Sequence, residues 1–537
     1  MSTSELLNGL DRVPYRGTRG MVMSKHGLVS TAHFLASKTG AMILERGGNF
    51  ADAAVATSAV LNVVEPYNSH LGGDAFMLVY TSEDGRLRAI NSSGPAPAFA
   101  SVDDFPDGVP TRGQMAVEVP GQVGAWGLLN DEFGTMPFSE LMAPALGYAR
   151  EGFPSNTRLS AVIGSASQEL RSMRPWAEVF TPGGRGPRTG EIFSQGDLAR
   201  TLEILSRDGP DSFYAGEIAD RIASFFWEGD GLITRDDLEG YSPEVLEPLQ
   251  TTYRGFEVFE QPPVSQGHIL LEELNIIEGF DLPGMEHNGP ESIHLMVEAL
   301  KLSFADRYEH SGDPGFVEPF VDFLVSKEHS AERRELIDPS VAMPSYPPGG
   351  MGVGDTTYFA IADGEGNAIS FIQSLFHGFG SGVVVPGTGI IMNNRMTGFS
   401  LERSSPNFLE GGKRTMHTLN TYMIFDSGSP LFVGGTPGGD KQVQTNLQVI
   451  TRLLDWGLNP QEAADNPRWA WQGGTSLDME ARYPKKTVDA LGEVGHDITT
   501  IAPWGGSGSV QVILIHPGSG AMIAGSDPRC DGCAVGL

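Results

Sequence analysis

Two threonines stand where a chain could cut itself. A proline- and glycine-rich stretch, Asp338 to Gly354, ends at Asp355, and Thr356-Thr357 then opens an apolar, strand-like run. If the chain is cut before Thr356, that residue gains a free α-amine. An α-amine has a pKa near ~8, so a neutral fraction can accept the hydroxyl proton. One residue then supplies both nucleophile and base. The same hydroxyl can first attack the carbonyl of Asp355, giving an ester that water hydrolyses. A Thr-Thr pair at a strand start is also what β-propensity alone produces. The second chemical candidate is Cys530-x-x-Cys533, the only two cysteines. It could be half a zinc site or a redox pair, but with no second ligand pair it reads better as an incidental tail pair.

The elements around Thr356 change character at that point. Upstream, Ser30 is expected to cap a helix over Thr31–Arg46, and a second, nearly all-apolar helix over Ala51–Val64 should be buried between layers. A strand is expected at Ala75–Thr81. Helices follow at Phe138–Glu151, Gln195–Arg207, Gly216–Trp227 and Pro290–Tyr308. Downstream, strands are expected at Thr357–Ala362 and Ala368–Ser374, joined by a Gly364–Asn367 turn. More are expected at Gly382–Val385, Gly389–Asn393, Thr421–Phe425 and Leu431–Gly434. A helix over Val443–Trp456 and a shorter one from Pro460 come next, and strands Val510–Ile515 and Ala521–Ala524 complete the set. Residues 1–20 read as a polar leader. Hairpins plus covering helices predict an α/β layered sandwich.

The 537 residues carry a net charge of −31. This acidity argues against nucleic acid and anionic membranes as partners. No apolar run is long enough for a membrane span. The start lacks a basic cluster followed by an apolar core, so a cytoplasmic location is expected.

The motifs that flank these elements resemble the γ-glutamyltranspeptidase family over nearly the whole chain. They include GMVMSKHGLVSTAHFLASKTGAMILERGGNFADAAVA, VVEPYNSHLGGDAF, QPPVSQG, EALKLSFADRYEHSGDP, GDTTYFAIADGEGNAIS, FGSGVVVPGTGI, GGKRTMHTL, GGTPGGD and GLNPQEAADNPRW. Their number, order and spacing make the match specific. The resemblance implies an αββα sandwich of the N-terminal-nucleophile type. It implies autocleavage into a large subunit, 1–355, and a small subunit, 356–537, which stay together as a heterodimer or a pair of heterodimers. By motif match Thr356 is the nucleophile, and Gly438 and Gly439 are the oxyanion-hole glycines. Ser374 stands where the family has a hydroxyl near the nucleophile. No cofactor or metal is implied.

Several substrate positions depart from the family pattern. The Arg that precedes Ala-Pro-Ala is absent from Ser92-Ser93-Gly94-Pro95-Ala96-Pro97. The family's Asn beyond the strand hydroxyl is Phe376. Its Gln-x-x-Asp cluster is Arg395-Met396-Thr397-Gly398, and its Ser-Ser pair is His417-Thr418. Loss of an acid and gain of a cation disfavour an α-ammonium and favour an acyl group ending in a carboxylate, held by Arg395. For Arg395 a structural salt bridge is the competing reading; for His417 it is a satisfied structural histidine. The Ser400–Lys413 segment is short beside lid-bearing members, which predicts an open site and hydrolysis rather than transfer. The divergent motifs look closer to the oxamate amidohydrolase branch than to glutathione-degrading members. A small amide bearing a carboxylate is thus the expected substrate. The alternatives are a γ-glutamyl hydrolase or transpeptidase, a glutaryl- or cephalosporin-type acylase, and an uncleaved binding protein of the same fold.

Overall fold

In the computed structural model, residues 2–11, 17–318, 320–344 and 354–537 are described. Two antiparallel seven-stranded sheets face each other. The first runs Cys533–Gly536, Gly27–Thr31, Asp355–Asp363, Ala368–Phe376, Asp74–Thr81, Arg86–Ser92, Glu244–Leu246. The second runs Val22–Ser24, Met522–Ser526, Gln511–Ile515, Ser429–Gly435, Tyr422–Asp426, Phe256–Glu260, Leu249–Tyr253. Alternate residues of each strand meet between the sheets: Leu28, Phe76, Leu78, Ala360, Ile372, Met423, Val433 and Ile513 form that layer.

The outer faces are covered by helices, giving an αββα sandwich. On the first sheet lie Phe34–Glu45 and Phe50–Val64. The second of these is buried along its whole length, because the Ala/Val-rich sequence is packed by sheet on one side and by helices on the other. On the second sheet lie Gly267–Glu278, Pro290–His310 and Lys441–Leu454. Among the described residues, no helix is long and apolar enough to cross a membrane.

The strand that carries Thr356 is central. It pairs with Gly27–Thr31 on one side and Ala368–Phe376 on the other. The expected hairpin forms, with Asp363 Oδ1 accepting from the Glu365 and Asn367 amides to fix the turn.

Some expectations need correction. Ser30 caps no helix. It lies in the strand Gly27–Thr31, its hydroxyl on Gln511 Oε1 at 2.7 Å, and His33 Nδ1 caps Phe34–Glu45 by accepting from the Leu35 amide. The β-branched pair Val29-Thr31 fills a sheet position that local helix signals do not register. The leader contains a short helix, Thr3–Leu7, closed by a Ser2/Glu5 capping box and anchored by buried Leu6. The strand set does not end at Ala524: Cys533–Gly536 forms the edge of the first sheet beside Gly27–Thr31. A three-stranded sheet, Trp469–Gly473, Ser476–Glu480 and Asp497–Ile501, was also unforeseen. Of the Asp338–Gly354 linker, residues 338–344 lack helix or strand, and 345–353 lie outside the described residues.

Candidate functional site

The ladder slips at Thr356. Asp355 faces Phe376 but Thr357 faces Gln373, so the register shifts between them. Such a bulge turns a side chain off the regular alternation. Thr357 Oγ1 donates to Glu65 Oε2 at 2.8 Å, toward the helical layer. Thr356, 3% exposed, instead points its hydroxyl at Ser374, donating to Oγ at 3.1 Å. Ser374 Oγ in turn donates to the carbonyl oxygen of Asp355 at 2.7 Å and accepts from the Phe376 amide at 2.8 Å. The hydroxyl of one threonine and the carbonyl of the peptide before it thus meet on one serine.

The Thr436–Gly439 turn lies alongside. The Gly354 α-carbon carries its hydrogens toward Gly439; a β-carbon there would stand 3.4 Å from the Gly439 Cα. Gly438 and Gly439 have φ of 139° and 60°, backbone that favours glycine. Among the described residues, neither Gly438 nor Gly439 spends its N–H on a hydrogen bond. The turn is fixed by its other groups. The Gly438 and Gly439 carbonyls accept from Lys441 and Gln442 amides, and Gln266 Nε2 bridges the carbonyls of Thr418 and Gly439 at 2.6 and 3.1 Å. Arg307 pairs with Asp440 at 2.7 Å just beyond the turn. Unspent N–H donors on a rigid turn can hold a developing oxyanion.

A cavity of about 360 Å³ opens onto Thr356. Its wall includes Glu65, Asn68, Arg158, Gly438, Lys441 and the Trp504–Ser509 loop. Glu65 is buried, and that burial pushes its carboxyl above the usual range, against the Thr357 hydroxyl and the Arg158 charge. Cys530 also lines the cavity, with burial pushing its thiol up to about 12, so no reactive thiolate stands there at neutral pH.

The four substitutions singled out in the sequence form a second, enclosed group. Arg395 is fully buried, with Nε 3.4 Å from Asp74 Oδ2 and its guanidinium 4.2 Å over the Phe376 ring. None of its three nitrogens has a hydrogen-bond acceptor in place. His417 Nε2 lies 3.4 Å from the same Asp74 oxygen; burial, then the Arg395 charge, lower its pKa to about 4. Glu118 is buried nearby, and its burial, then the Asp74 charge, push its carboxyl well above the usual range. Thr418 is buried with its hydroxyl unpaired. Phe376, with φ of 80°, stacks on the His377 ring and carries the Arg395 guanidinium over its own. The wall of the Thr356 cavity does not include Arg395, His417, Thr418 or Phe376. The Ser400–Lys413 segment folds back on itself, the Ser400 amide donating to the Asn407 carbonyl and the Leu409 amide to the Ser400 carbonyl, and does not line the cavity.

Sequence reasoning missed Glu65, Arg158 and Lys441 in the cavity and Asp74 beside Arg395 and His417. Glu65 and Asp74 sit inside the VVEPYNSHLGGDAF motif, so a polar residue in a buried motif was the available signal. Arg158 and Lys441 gave none, since lone surface-type cations are indistinguishable from solvated ones. Arg414 stands near the place of the absent family Arg: its Nε donates to the Ser93 carbonyl at 3.1 Å and its Nη1 pairs with Glu244 at 3.0 Å.

A family model described as Gamma-glutamyltranspeptidase matches residues 36–537. The chain is 38% identical over 533 residues to the glutathione hydrolase-like YwrD proenzyme of Bacillus subtilis (strain 168), covering 97% of this chain and 99% of the relative. It is 35% identical over 528 residues to the oxamate amidohydrolase proenzyme of Klebsiella pneumoniae, covering 96% and 99%. The solved structure of a cephalosporin acylase from Bacillus halodurans superposes with a TM-score of 0.93 at 38% identity, covering 98% of each chain.

Proposed function

The chain belongs to the γ-glutamyltranspeptidase family, and from that premise we propose that it is a self-processing amidohydrolase whose nucleophile is Thr356. The observation that carries the proposal is the Ser374 hydroxyl, which touches both the Thr356 hydroxyl and the Asp355 carbonyl. In the first reaction Thr356 Oγ attacks the Asp355 carbonyl carbon. Its proton passes toward Ser374, whose own hydrogen bond polarises the carbonyl oxygen. The C–N bond breaks, the nitrogen takes a proton, and an ester links Asp355 to Thr356. Water hydrolyses the ester, leaving an Asp355 carboxylate and a free Thr356 amine.

The second reaction repeats the chemistry on a substrate. The Thr356 amine accepts the hydroxyl proton while Oγ attacks the amide carbon. Gly438 and Gly439 N–H groups take the oxyanion, each donor being worth a few kcal/mol (~3). Ammonia or an amine leaves with the proton, and water releases the acid from the acyl-threonine. The fragments 1–355 and 356–537 stay joined as a heterodimer, because cleavage falls inside a shared sheet. The strand after the cut pairs with Gly27–Thr31, and Gly27–Thr31 also pairs with Cys533–Gly536.

The substrate we propose is a small amide ending in a carboxylate, as in the oxamate amidohydrolase relative. Two features support a carboxylate. Arg158 and Lys441 line the Thr356 cavity, and Arg395, ion-paired with Asp74 at 3.4 Å, has no hydrogen-bonded acceptor on any of its three nitrogens. A buried guanidinium whose N–H groups are not hydrogen-bonded, even beside one ion-pair partner, has donors left for a substrate carboxylate. Arg395, His417 and Thr418 do not line the cavity of the uncut chain, so on this reading the processed enzyme opens the site toward them. A γ-glutamyl hydrolase remains the second reading, favoured by the identity to the glutathione hydrolase-like proenzyme.

A denaturing gel of fresh protein beside Thr356→Ala tests the first step. Two bands for wild type and one for the variant are expected. A single wild-type band after long incubation would leave an uncleaved binding protein as the reading. A panel of oxamate, glutaryl amides and γ-glutamyl anilides tests the second, with faster γ-glutamyl turnover overturning the proposed substrate class.

A further inference from the structure

Upstream of Thr356, three helices on the outer face of the second sheet converge on a buried group of side chains. Glu272 comes from Gly267–Glu278, Asp306 from Pro290–His310 and His329 from Lys327–Arg334. One ligand atom of each lies within 4.8 Å of the others. His329 Nε2 stands 3.0 Å from Asp306 Oδ2 and 3.6 Å from Glu272 Oε1. Donors about 2.1 Å from a tetrahedral zinc ion stand about 3.4 Å apart, so these separations bracket that geometry.

Glu272 is fully buried and neither of its oxygens has a hydrogen bond of good geometry: the Asp306 carboxyl faces it, and the nearby Ser303 hydroxyl donates instead to the Ala299 carbonyl at 3.2 Å. A carboxylate so placed needs a counter-charge or a proton. Asp306 is held from behind: Arg333 Nη2 donates to its Oδ1 at 2.8 Å, leaving Oδ2 directed at His329. An ordered outer partner of this kind is how metal-ligating carboxylates are oriented.

A second buried group, His294, Glu298 and His496, makes the contrast plain. There Lys301 donates to Glu298 Oε1 at 2.7 Å and the Met343 amide to Oε2 at 3.2 Å. Both carboxylate oxygens are satisfied, and the ammonium already supplies the positive charge. Glu272 has no such lysine.

We propose that Glu272, Asp306 and His329 bind one divalent transition-metal ion, with zinc favoured by the mixed imidazole and carboxylate donors. His329 gives its Nε2 lone pair with the ring proton on Nδ1, and any proton displaced from the ring or from Glu272 passes to solvent as the metal binds. The ion clamps three helices together. Asp306 precedes Arg307, which pairs with Asp440 beside the Gly438–Gly439 turn, so the clamp also steadies the helix that anchors that turn.

The experiment strips the full-length protein with a chelator, dialyses it, and titrates it with zinc chloride. Bound metal is read by elemental analysis after gel filtration, and binding by calorimetry. Cobalt chloride gives a second readout through visible bands that report imidazole and carboxylate coordination. Wild type should take up one equivalent and its melting temperature should rise by a few degrees. Glu272→Gln and His329→Gln should each weaken binding more than ~100-fold, a larger loss than an outer-shell change gives. His294→Gln should bind as wild type does. Circular dichroism of each variant checks that it is folded. Should Glu272→Gln fail to fold, His329→Gln and the cobalt bands decide alone. No uptake by wild type at micromolar zinc overturns the proposal, as does unchanged uptake by both folded variants. So does a Glu272→Gln protein that is more stable than metal-free wild type while zinc leaves wild-type melting unmoved. That result would assign the cluster to a shared proton.

Discussion

Replacing Ser374 by alanine should slow self-cleavage far more than it harms the fold. The substitution removes one donor to the Asp355 carbonyl, at 2.7 Å, and one acceptor for the Thr356 hydroxyl, at 3.1 Å. Deleting a single hydrogen bond to a developing oxyanion costs roughly 10²–10³ in rate. Losing the acceptor that orients the attacking hydroxyl adds to that, so a slowing of at least ~10²-fold is expected. The fold pays a separate cost. The buried Phe376 amide, which donates to Ser374 Oγ at 2.8 Å, loses its acceptor, a penalty of about 1–3 kcal/mol. The assay is a time course of freshly purified protein on a denaturing gel, with urea melts run in parallel. Ser374→Thr keeps the hydroxyl and should restore most of the rate. Cleavage of Ser374→Ala within threefold of wild type, with the variant fully folded, would refute the relay.

Three further outcomes follow from the same geometry. Glu65→Gln, made in the Thr356→Ala background so that both chains stay whole, should raise the melting temperature near pH 8 and not near pH 4. Burial raises the folded pKa of Glu65, so its ionisation weakens the fold as pH climbs above the ordinary glutamate value, and glutamine removes that loss; equal shifts at both pH values would refute this. Arg395→Met should cost about 3–5 kcal/mol in a denaturant melt by stranding Asp74, and Asp74→Asn in the same chain should recover part of it; strict additivity of the two changes would refute the pairing. Gly438→Ala, forced into a φ of 139°, should lower kcat for amide hydrolysis about 10²-fold or more with little change in KM; an unchanged kcat would remove the turn from the oxyanion hole.

Local signals were sufficient wherever one segment carried its own answer. The helix Phe138–Glu151 and the hairpin around Gly364–Asn367 are legible because period and turn chemistry agree within a dozen residues. They failed where partners are distant. Gly27–Thr31 is a strand because Asp355–Asp363 and Cys533–Gly536 flank it, more than 300 residues away in sequence. Its local pattern fitted a helix start instead. The short edge strands and the Trp469–Ile501 sheet were invisible for the same reason.

The site divides the same way. The sequence by itself determined the junction at Asp355-Thr356, the Gly438–Gly439 turn and the swap that put a cation at 395, since each is a matter of residue type and order. Tertiary structure alone decided what those residues touch. It set Ser374 between the Thr356 hydroxyl and the Asp355 carbonyl through a slip in strand register. It paired Arg395 with Asp74 over the Phe376 ring and gave the Thr356 cavity to Arg158 and Lys441. Charge and hydrogen-bonding capacity belong to a side chain wherever it sits. Which groups they are spent on depends on strands and helices that meet only when the chain is folded.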